Sequence, residues 1–264
     1  HGPQTGRVID FIPCLLNGRE HARVEIDHTL PGIVHYVPAD TLSPANKEHP
    51  MLTKNYFSLP NSAIGALLLH LCGGNINLAL NVARWIALPL RAPGTKMNTA
   101  LIVSGEPGTG KSLFFDAVVR HLYHPTAQTV IREAQFLGHY TGWAMGLRFA
   151  LIEEFYPASP FLAAEKVYLI KNLVTASTIN IERKSLATKV ETNSINYVFM
   201  TSKNVDPFSC TDNRRFAILK VPARQPASFY KEVVANISAQ AIEEFKAWLM
   251  HDLDMGDFNQ SSTI

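Results

Sequence analysis

At 264 residues, with 47% hydrophobic and 17% charged residues, the chain has the apolar content of a globular domain, or of one domain with a small companion, and not that of a disordered polymer. A formal net charge of +2 excludes a broadly basic nucleic-acid coat, so any contact with nucleic acid must come from a local cluster of Lys and Arg. Cys14, Cys72 and Cys210 are far apart and form no C-x-x-C pair, which excludes a disulfide framework and a zinc knuckle and favours a reducing, cytosolic compartment.

His1-Gly2-Pro3 is not a signal peptide and carries no initiator Met, so further sequence upstream is expected. The first sixty residues mix Pro, Gly, His and short apolar runs such as Ile33 to Val37, and read as short strands and loops. His21, His28 and His35 are evenly spaced, but no patterned carboxylate or thiol accompanies them as a metal site requires. Asn61-Ser62 can cap a helix from Ala63 to Leu71, which Gly73-Gly74 ends; a second helix is expected from Asn77 to Leu88, closed by Pro89 and Pro93-Gly94. The longest apolar run, Ala63 to Cys72, is interrupted by Gly65 and His70 and is too short to span a bilayer, so no membrane partner is expected.

From Thr99 the pattern becomes α/β. Thr99 to Ser104 is an apolar strand, followed by a glycine loop and a helix expected from Lys111 to about Leu122. Further strands are expected at Leu147–Ile152, Ile195–Thr201 and Phe216–Val221, and apolar strands alternating with helices predict a mainly parallel sheet flanked by helices. Pro226 to Asp252 reads as closing helices with apolar positions at Ala241, Phe245, Trp248 and Leu249. The expected divisions are an extension at 1–60, a helical subdomain at 61–95, an α/β core at 96–225 and a helical segment at 226–264.

Gly105-Glu106-Pro107-Gly108-Thr109-Gly110-Lys111-Ser112 satisfies G-x-x-x-x-G-K-S between a strand and a helix, the signature of a P-loop nucleoside triphosphatase. Its glycines allow a tight loop whose N–H groups face a triphosphate, and the helix that follows adds its dipole. Lys111 would reach the β- and γ-phosphates and the Ser112 hydroxyl would ligate Mg²⁺. The strand through Ile152 then delivers Glu153 and Glu154 to the carboxyl end of the sheet: Glu153 for Mg²⁺ through water, Glu154 to orient and deprotonate the attacking water. Met200-Thr201-Ser202-Lys203-Asn204 ends the next strand with a polar side chain able to touch the γ-phosphate or the water; Asn204 is the candidate, with Lys203 the alternative. Arg214 and Arg215 precede the last strand, where an arginine can stabilise charge on the transferring phosphoryl group, in ring ATPases from a neighbouring subunit; a surface pair in a salt bridge is the bland alternative.

This order of motifs resembles the superfamily 3 helicases, a branch of the AAA+ ATPases. The hairpin region Ile179–Thr192 stands where that family carries its lysine-bearing hairpin. More narrowly, Trp85-Ile86-Ala87-Leu88-Pro89-Leu90, Asp212-Asn213-Arg214-Arg215-Phe216 and the closing helix leading to Asp252-Leu253 and Phe258 resemble the helicase part of phage and plasmid primase–helicases, over Ala63 to Phe258. One departure is the sensor: the family pattern is Thr-Ser-Asn, whereas Lys203 intervenes here between Ser202 and Asn204. The resemblance implies an AAA+ type P-loop fold, a homo-hexameric ring, ATP and Mg²⁺ as cofactors, and single-stranded or forked DNA as partner, held by Arg183 and Lys184 at the hairpin tip. It further implies a fused or separate primase or polymerase domain and, for a phage-encoded chain, the host cytoplasm. The expected activity is an ATP-driven DNA helicase; the alternatives are an AAA+ initiator or helicase loader, and a nucleotide-gated oligomerisation module for a primase.

Overall fold

The computed structural model describes residues 6–13, 20–26, 34–38, 59–60, 62–155, 160–202, 214–262 and 264. Cys14, His28, Lys203, Asn204 and Cys210 lie outside them. Near the amino end, β1 (Gly6–Pro13), β2 (Glu20–Ile26) and β3 (Val34–Pro38) pair antiparallel in a sheet of their own, whose register slips between Val8 and Asp10.

Two capped helices follow. The Ser62 hydroxyl accepts the Gly65 N–H at 3.2 Å to open α1 (Ala63–Leu71), and Asn75 accepts the Leu78 N–H at 3.1 Å to open α2 (Ile76–Arg91). The sequence ends α2 before Pro89, yet the helix runs on to Arg91 with Pro89 buried in its last turn. Proline removes one backbone N–H there. The turn is tied instead by Arg91, whose guanidinium donates to the carbonyls of Leu249 at 2.7 Å and Leu253 at 2.6 Å.

The remaining strands are β4 (Ala100–Ser104), β5 (Gln128–Arg132), β6 (Phe149–Glu153), the hairpin of β7 (Thr178–Ile181) and β8 (Lys189–Thr192), then β9 (Asn196–Thr201) and β10 (Phe216–Lys220). Five of them form the central sheet, in the order β10-β4-β9-β6-β5, and every pairing is parallel. The helices are α3 (Lys111–Phe115), α4 (Glu133–Phe136), α5 (Pro160–Thr175), α6 (Ala227–Asn236) and α7 (Ala239–Ala247). Alternation along each strand sends side chains to opposite faces. Leu101, Val103, Leu151, Val198 and Met200 enter one core with Leu67 and Leu68 of α1, Trp85 of α2, Phe114 of α3, Val233 of α6 and Phe245 of α7. Ala100, Ile102, Ile152, Tyr197 and Phe199 enter the other with Phe136, Ile170 and Val174 and with Ile179 and Ile181 of β7. The fold is therefore α/β, a parallel sheet flanked by helices, as expected.

Two local expectations differ. The helix after the glycine loop does not run to Leu122: α3 stops at Phe115 and a 3₁₀ turn takes Val119–Leu122. Phe114, Phe115, Val118, Val119 and Leu122 fall on one helical stripe and are all buried, so the burial pattern suits a helix; the Val118-Val119 pair, β-branched and a poor helix former, stands where the α-helix gives way to the tighter turn. In the second case, β5 carries Gln128, Thr129 and Arg132 because it is an edge strand, and those polar residues hid it from a search for apolar runs. No single described helix is long and apolar enough to cross a membrane.

Candidate functional site

The glycine loop leaves β4 at the carboxyl edge of the sheet, where the Gly105 N–H donates to the Thr201 carbonyl at 3.2 Å. Gly108 (φ 78°) and Gly110 (φ 93°) are left-handed, a conformation that strains any L side chain, so both positions favour glycine. The loop places Lys111 at 9% exposure with its amine donating to the carbonyls of Gly105 at 2.6 Å and Glu106 at 2.8 Å, and to Thr109 Oγ1 at 3.3 Å. Burial lowers the Lys111 pKa, and the oxygen partners keep the amine supplied with acceptors. Thr109, fully buried, donates its hydroxyl to the Glu106 carbonyl at 2.8 Å. Because α3 has five residues, loop N–H groups and the Lys111 charge carry this site far more than a helix dipole does.

Glu153 ends β6, two strands from the loop, beside Arg132 at the end of β5. Its carboxyl titrates above the ordinary range, first because it is partly buried and then because the carboxylates of Asp116 and Glu154 face it, with Arg132 pulling the other way. Glu154 is exposed, adopts a left-handed φ of 53°, and lies 4.0 Å from the Arg132 guanidinium. A non-glycine residue is rarely held there, and such strain gathers at functional positions. Sequence reasoning missed Asp116. It stands one helical turn after Ser112, a spacing that puts both on one face, and it pairs with Arg120. Carboxylates and a hydroxyl are hard oxygen donors of the kind a divalent cation takes, but among the described residues no three acidic, His or Cys side chains gather into a metal-binding group.

The loop is held from behind by α1 and α6. His70 Nε2 lies 3.2 Å from the Thr109 carbonyl oxygen and 3.2 Å from the Tyr230 hydroxyl, which itself accepts the Gln225 N–H at 3.1 Å. His70 is 7% exposed, burial lowers its pKa, and its Nδ1 has no partner among the described residues. The neutral tautomer with the proton on Nε2 satisfies the Thr109 carbonyl and leaves only a lone pair buried.

Asn204 and Lys203 fall outside the described residues. Arg214 and Arg215 form the turn before β10, and the register Phe216↔Ala100 through Lys220↔Ser104 puts them at the amino edge of the sheet. The Ala100 N–H donates to the Arg215 carbonyl at 2.9 Å. A strand length of roughly 16 Å separates them from the loop of their own chain.

Arg183 and Lys184 are exposed at the tip of the β7–β8 hairpin, where Ser185 has φ 60°. A second segment, not visible from any local pattern, shares this surface. The Thr141 hydroxyl donates to the Asn180 carbonyl at 2.5 Å and accepts the Glu182 N–H at 2.8 Å, and Glu191 accepts the Gly146 N–H at 3.1 Å. These bonds fasten Thr141 and Gly146 to the hairpin, the Arg183 stem lies against Gly142, and Tyr140, the residue before Thr141, is 51% exposed. At the hairpin's root, Lys96 donates to the carbonyls of Leu173 at 2.6 Å and Ala176 at 3.0 Å and so caps α5, the helix that follows the Glu154 corner.

A family model described as a family of unknown function (DUF5906) matches residues 102–215, which spans the glycine loop, both acids and the two arginines. No curated protein matches the chain. Among solved structures, the fold is similar to the apo structure of the NrS-1 C-terminal region (305–718), at TM-score 0.65 and 14% identity over 95% of this chain and 68% of that one. A second apo form of that region gives TM-score 0.62 at 14% identity, over 97% and 69%. A JCV helicase bound to an acetamide compound aligns at TM-score 0.44 and 14% identity, over 75% and 62%.

Proposed function

We propose that the chain is the ATPase domain of a ring-forming DNA helicase of the superfamily 3 type, drawing single-stranded DNA through a central channel. The observation that carries this reading is the placement of Lys111, its buried amine on loop oxygens at the carboxyl edge of a parallel sheet whose β6 ends in Glu153 and Glu154. Ligands of open parallel sheets bind at that edge. The amine exchanges the Gly105 and Glu106 carbonyls for phosphate oxygens, while loop N–H groups cradle the chain of phosphates. Ser112, Glu153 and Asp116 are the residues to hold Mg²⁺, directly or through water; when bound it neutralises charge on the β- and γ-phosphate oxygens. Glu154 orients the attacking water and takes its proton, and Asn204 is the residue assigned to sense the γ-phosphate.

The position of Arg214 and Arg215, a strand length from their own loop, supports their use on a neighbour's nucleotide in a homo-hexamer. β8 ends shortly before Asn196 opens β9 beside Phe149, so the cationic hairpin is rooted toward the same amino edge, and nucleotide and DNA would occupy opposite edges of the sheet. Arg183 and Lys184 hold phosphates without reading sequence, and Tyr140 offers a face on which a base stacks. An associated primase or polymerase domain and a place in the host cytoplasm belong to the same reading.

DNA-stimulated phosphate release and displacement of an annealed strand test the proposal. Both are expected of the wild type and absent in Lys111→Ala, while Lys184→Ala loses strand displacement. Wild-type turnover by Lys111→Ala would sink the assignment.

A further inference from the structure

A second cation reaches the glycine loop from the carboxyl end of the chain. Arg224 lies between β10 and α6, exposed to solvent, with its guanidinium carbon 3.5 Å and its Nε and Nη1 3.6 Å from the point that a Cβ on Gly108 would occupy. The group rests over the Tyr230 ring at 5.8 Å from its centroid. Among the described residues no carboxylate lies within ion-pair distance of it. An exposed arginine ordinarily spreads over many rotamers or pairs with an acid. Here an aromatic face directs it at the loop and leaves its charge uncommitted.

The support beneath it is fixed. The Tyr230 hydroxyl accepts the N–H of Gln225, the residue next to Arg224, and lies 3.2 Å from His70 Nε2, which also lies 3.2 Å from the Thr109 carbonyl. One tyrosine therefore sets the arginine's backbone, the arginine's head group and, through His70, the loop itself. Arg214 and Arg215 have no such access to the loop of their own chain, because the β10 register places them at the opposite edge.

We infer that Arg224 is a polyphosphate ligand supplied by the same subunit that supplies Lys111, and that Tyr230 is its positioning residue. The inference rests on the nucleotide site proposed above. A planar guanidinium presents paired N–H donors that match phosphate oxygens, whereas the ammonium of Lys111 acts as a point charge. The two cations would then hold the phosphates from the two sides of the glycine loop.

Equilibrium dialysis of radiolabelled ATP with Mg²⁺ tests this on the whole chain, with the nucleotide-free melting temperature recorded alongside. Arg224→Ala should weaken ATP binding about tenfold or more, the scale of one charge-assisted hydrogen bond, at an unchanged melting temperature. Arg224→Lys should recover part of the loss. Tyr230→Leu should weaken binding several-fold in the wild-type background and by a clearly smaller factor in Arg224→Ala, where only its contact with His70 is left to lose. Wild-type affinity in Arg224→Ala would overturn the ligand role, and a Tyr230→Leu penalty undiminished in that background would overturn the positioning role. Failure of the wild-type chain itself to bind ATP would instead remove the nucleotide site on which the inference stands.

Discussion

His70 Nε2 lies 3.2 Å from the carbonyl oxygen of Thr109, and this hydrogen bond fastens the glycine loop to the helix before the sheet. Loop geometry and helix packing are thereby linked, since the same ring nitrogen lies 3.2 Å from the Tyr230 hydroxyl on α6. His70→Ala leaves a buried carbonyl unsatisfied and opens a gap between Phe229 and Tyr230, whose rings pack edge-on against it. A loss of about 2–3 kcal/mol in urea unfolding is expected. His70→Gln, which keeps a donor, should recover part of it.

Acid should act at the same place. Burial holds the folded His70 pKa below its ordinary value, so between the two values the unfolded chain binds the extra proton. The stability tied to neutral His70 is fully present above pH ~6.5, the unfolded value, and is lost as pH falls through the folded pKa. Melting temperature against pH should fall on acidification more steeply for wild type than for His70→Gln.

The carboxylates give the opposite sign. Glu153 titrates above its ordinary value because it is partly buried and faces Asp116 and Glu154, so the folded state binds the extra proton and this residue costs stability once ionised. Glu153→Gln should raise the Mg²⁺-free melting temperature at neutral pH by about 1–3 °C, the scale of a fraction of 1 kcal/mol in a domain of this size. It should also remove the stabilisation that Mg²⁺ with a nucleotide gives the wild type. Glu154→Gln is expected to bind ATP and lose phosphate release by 100-fold or more, on the order of a general-base contribution.

What the sequence made legible was local chemistry. Gly105 to Ser112 is a contiguous run, and the apolar strands Ala100–Ser104 and Asn196–Thr201 are recognisable because both of their faces are buried. The break after Phe115 was hidden because the buried residues Phe114, Phe115, Val118, Val119 and Leu122 keep the spacing of one helical face straight through it. Asp116 was legible in principle from its i+4 spacing to Ser112. The Thr141–Asn180 bond, the His70–Thr109 bond and the approach of Arg224 to Gly108 join residues distant along the chain, and no local pattern encodes them. Arg214 and Arg215 were legible as a motif, but only the β10 register tells which edge of the sheet they occupy.

Lys96 tests the cap on α5. Its amine caps α5 at the carbonyls of Leu173 and Ala176, and burial lowers its pKa to about 7. Between that value and the ordinary one of 10.5 the unfolded chain holds the extra proton, so stability rises with pH across this window. Lys96→Met keeps the apolar stem and drops both hydrogen bonds; it should flatten that rise and lower stability at pH 9 by about 1–2 kcal/mol in urea unfolding.

The hairpin and residues 137–147 should behave as one surface, because Thr141 bonds to both Asn180 and Glu182. Thr141→Val keeps the shape of the side chain and removes both bonds, so it should free the Tyr140 segment from the tip while leaving the phosphate loop untouched. Fluorescence anisotropy of a labelled single strand separates the contributions. Arg183→Ala and Lys184→Ala should each flatten the dependence of log affinity on log salt by about 0.7, the value of one phosphate contact on a single strand. Tyr140→Ala should lower affinity by about 1–3 kcal/mol with the salt slope preserved, because stacking releases no counterion. Thr141→Val should reproduce the Tyr140→Ala loss in part and leave basal ATP turnover at the wild-type rate. A salt slope that falls in Tyr140→Ala would mean that the ring only supports the cations, and the surface would then be electrostatic alone.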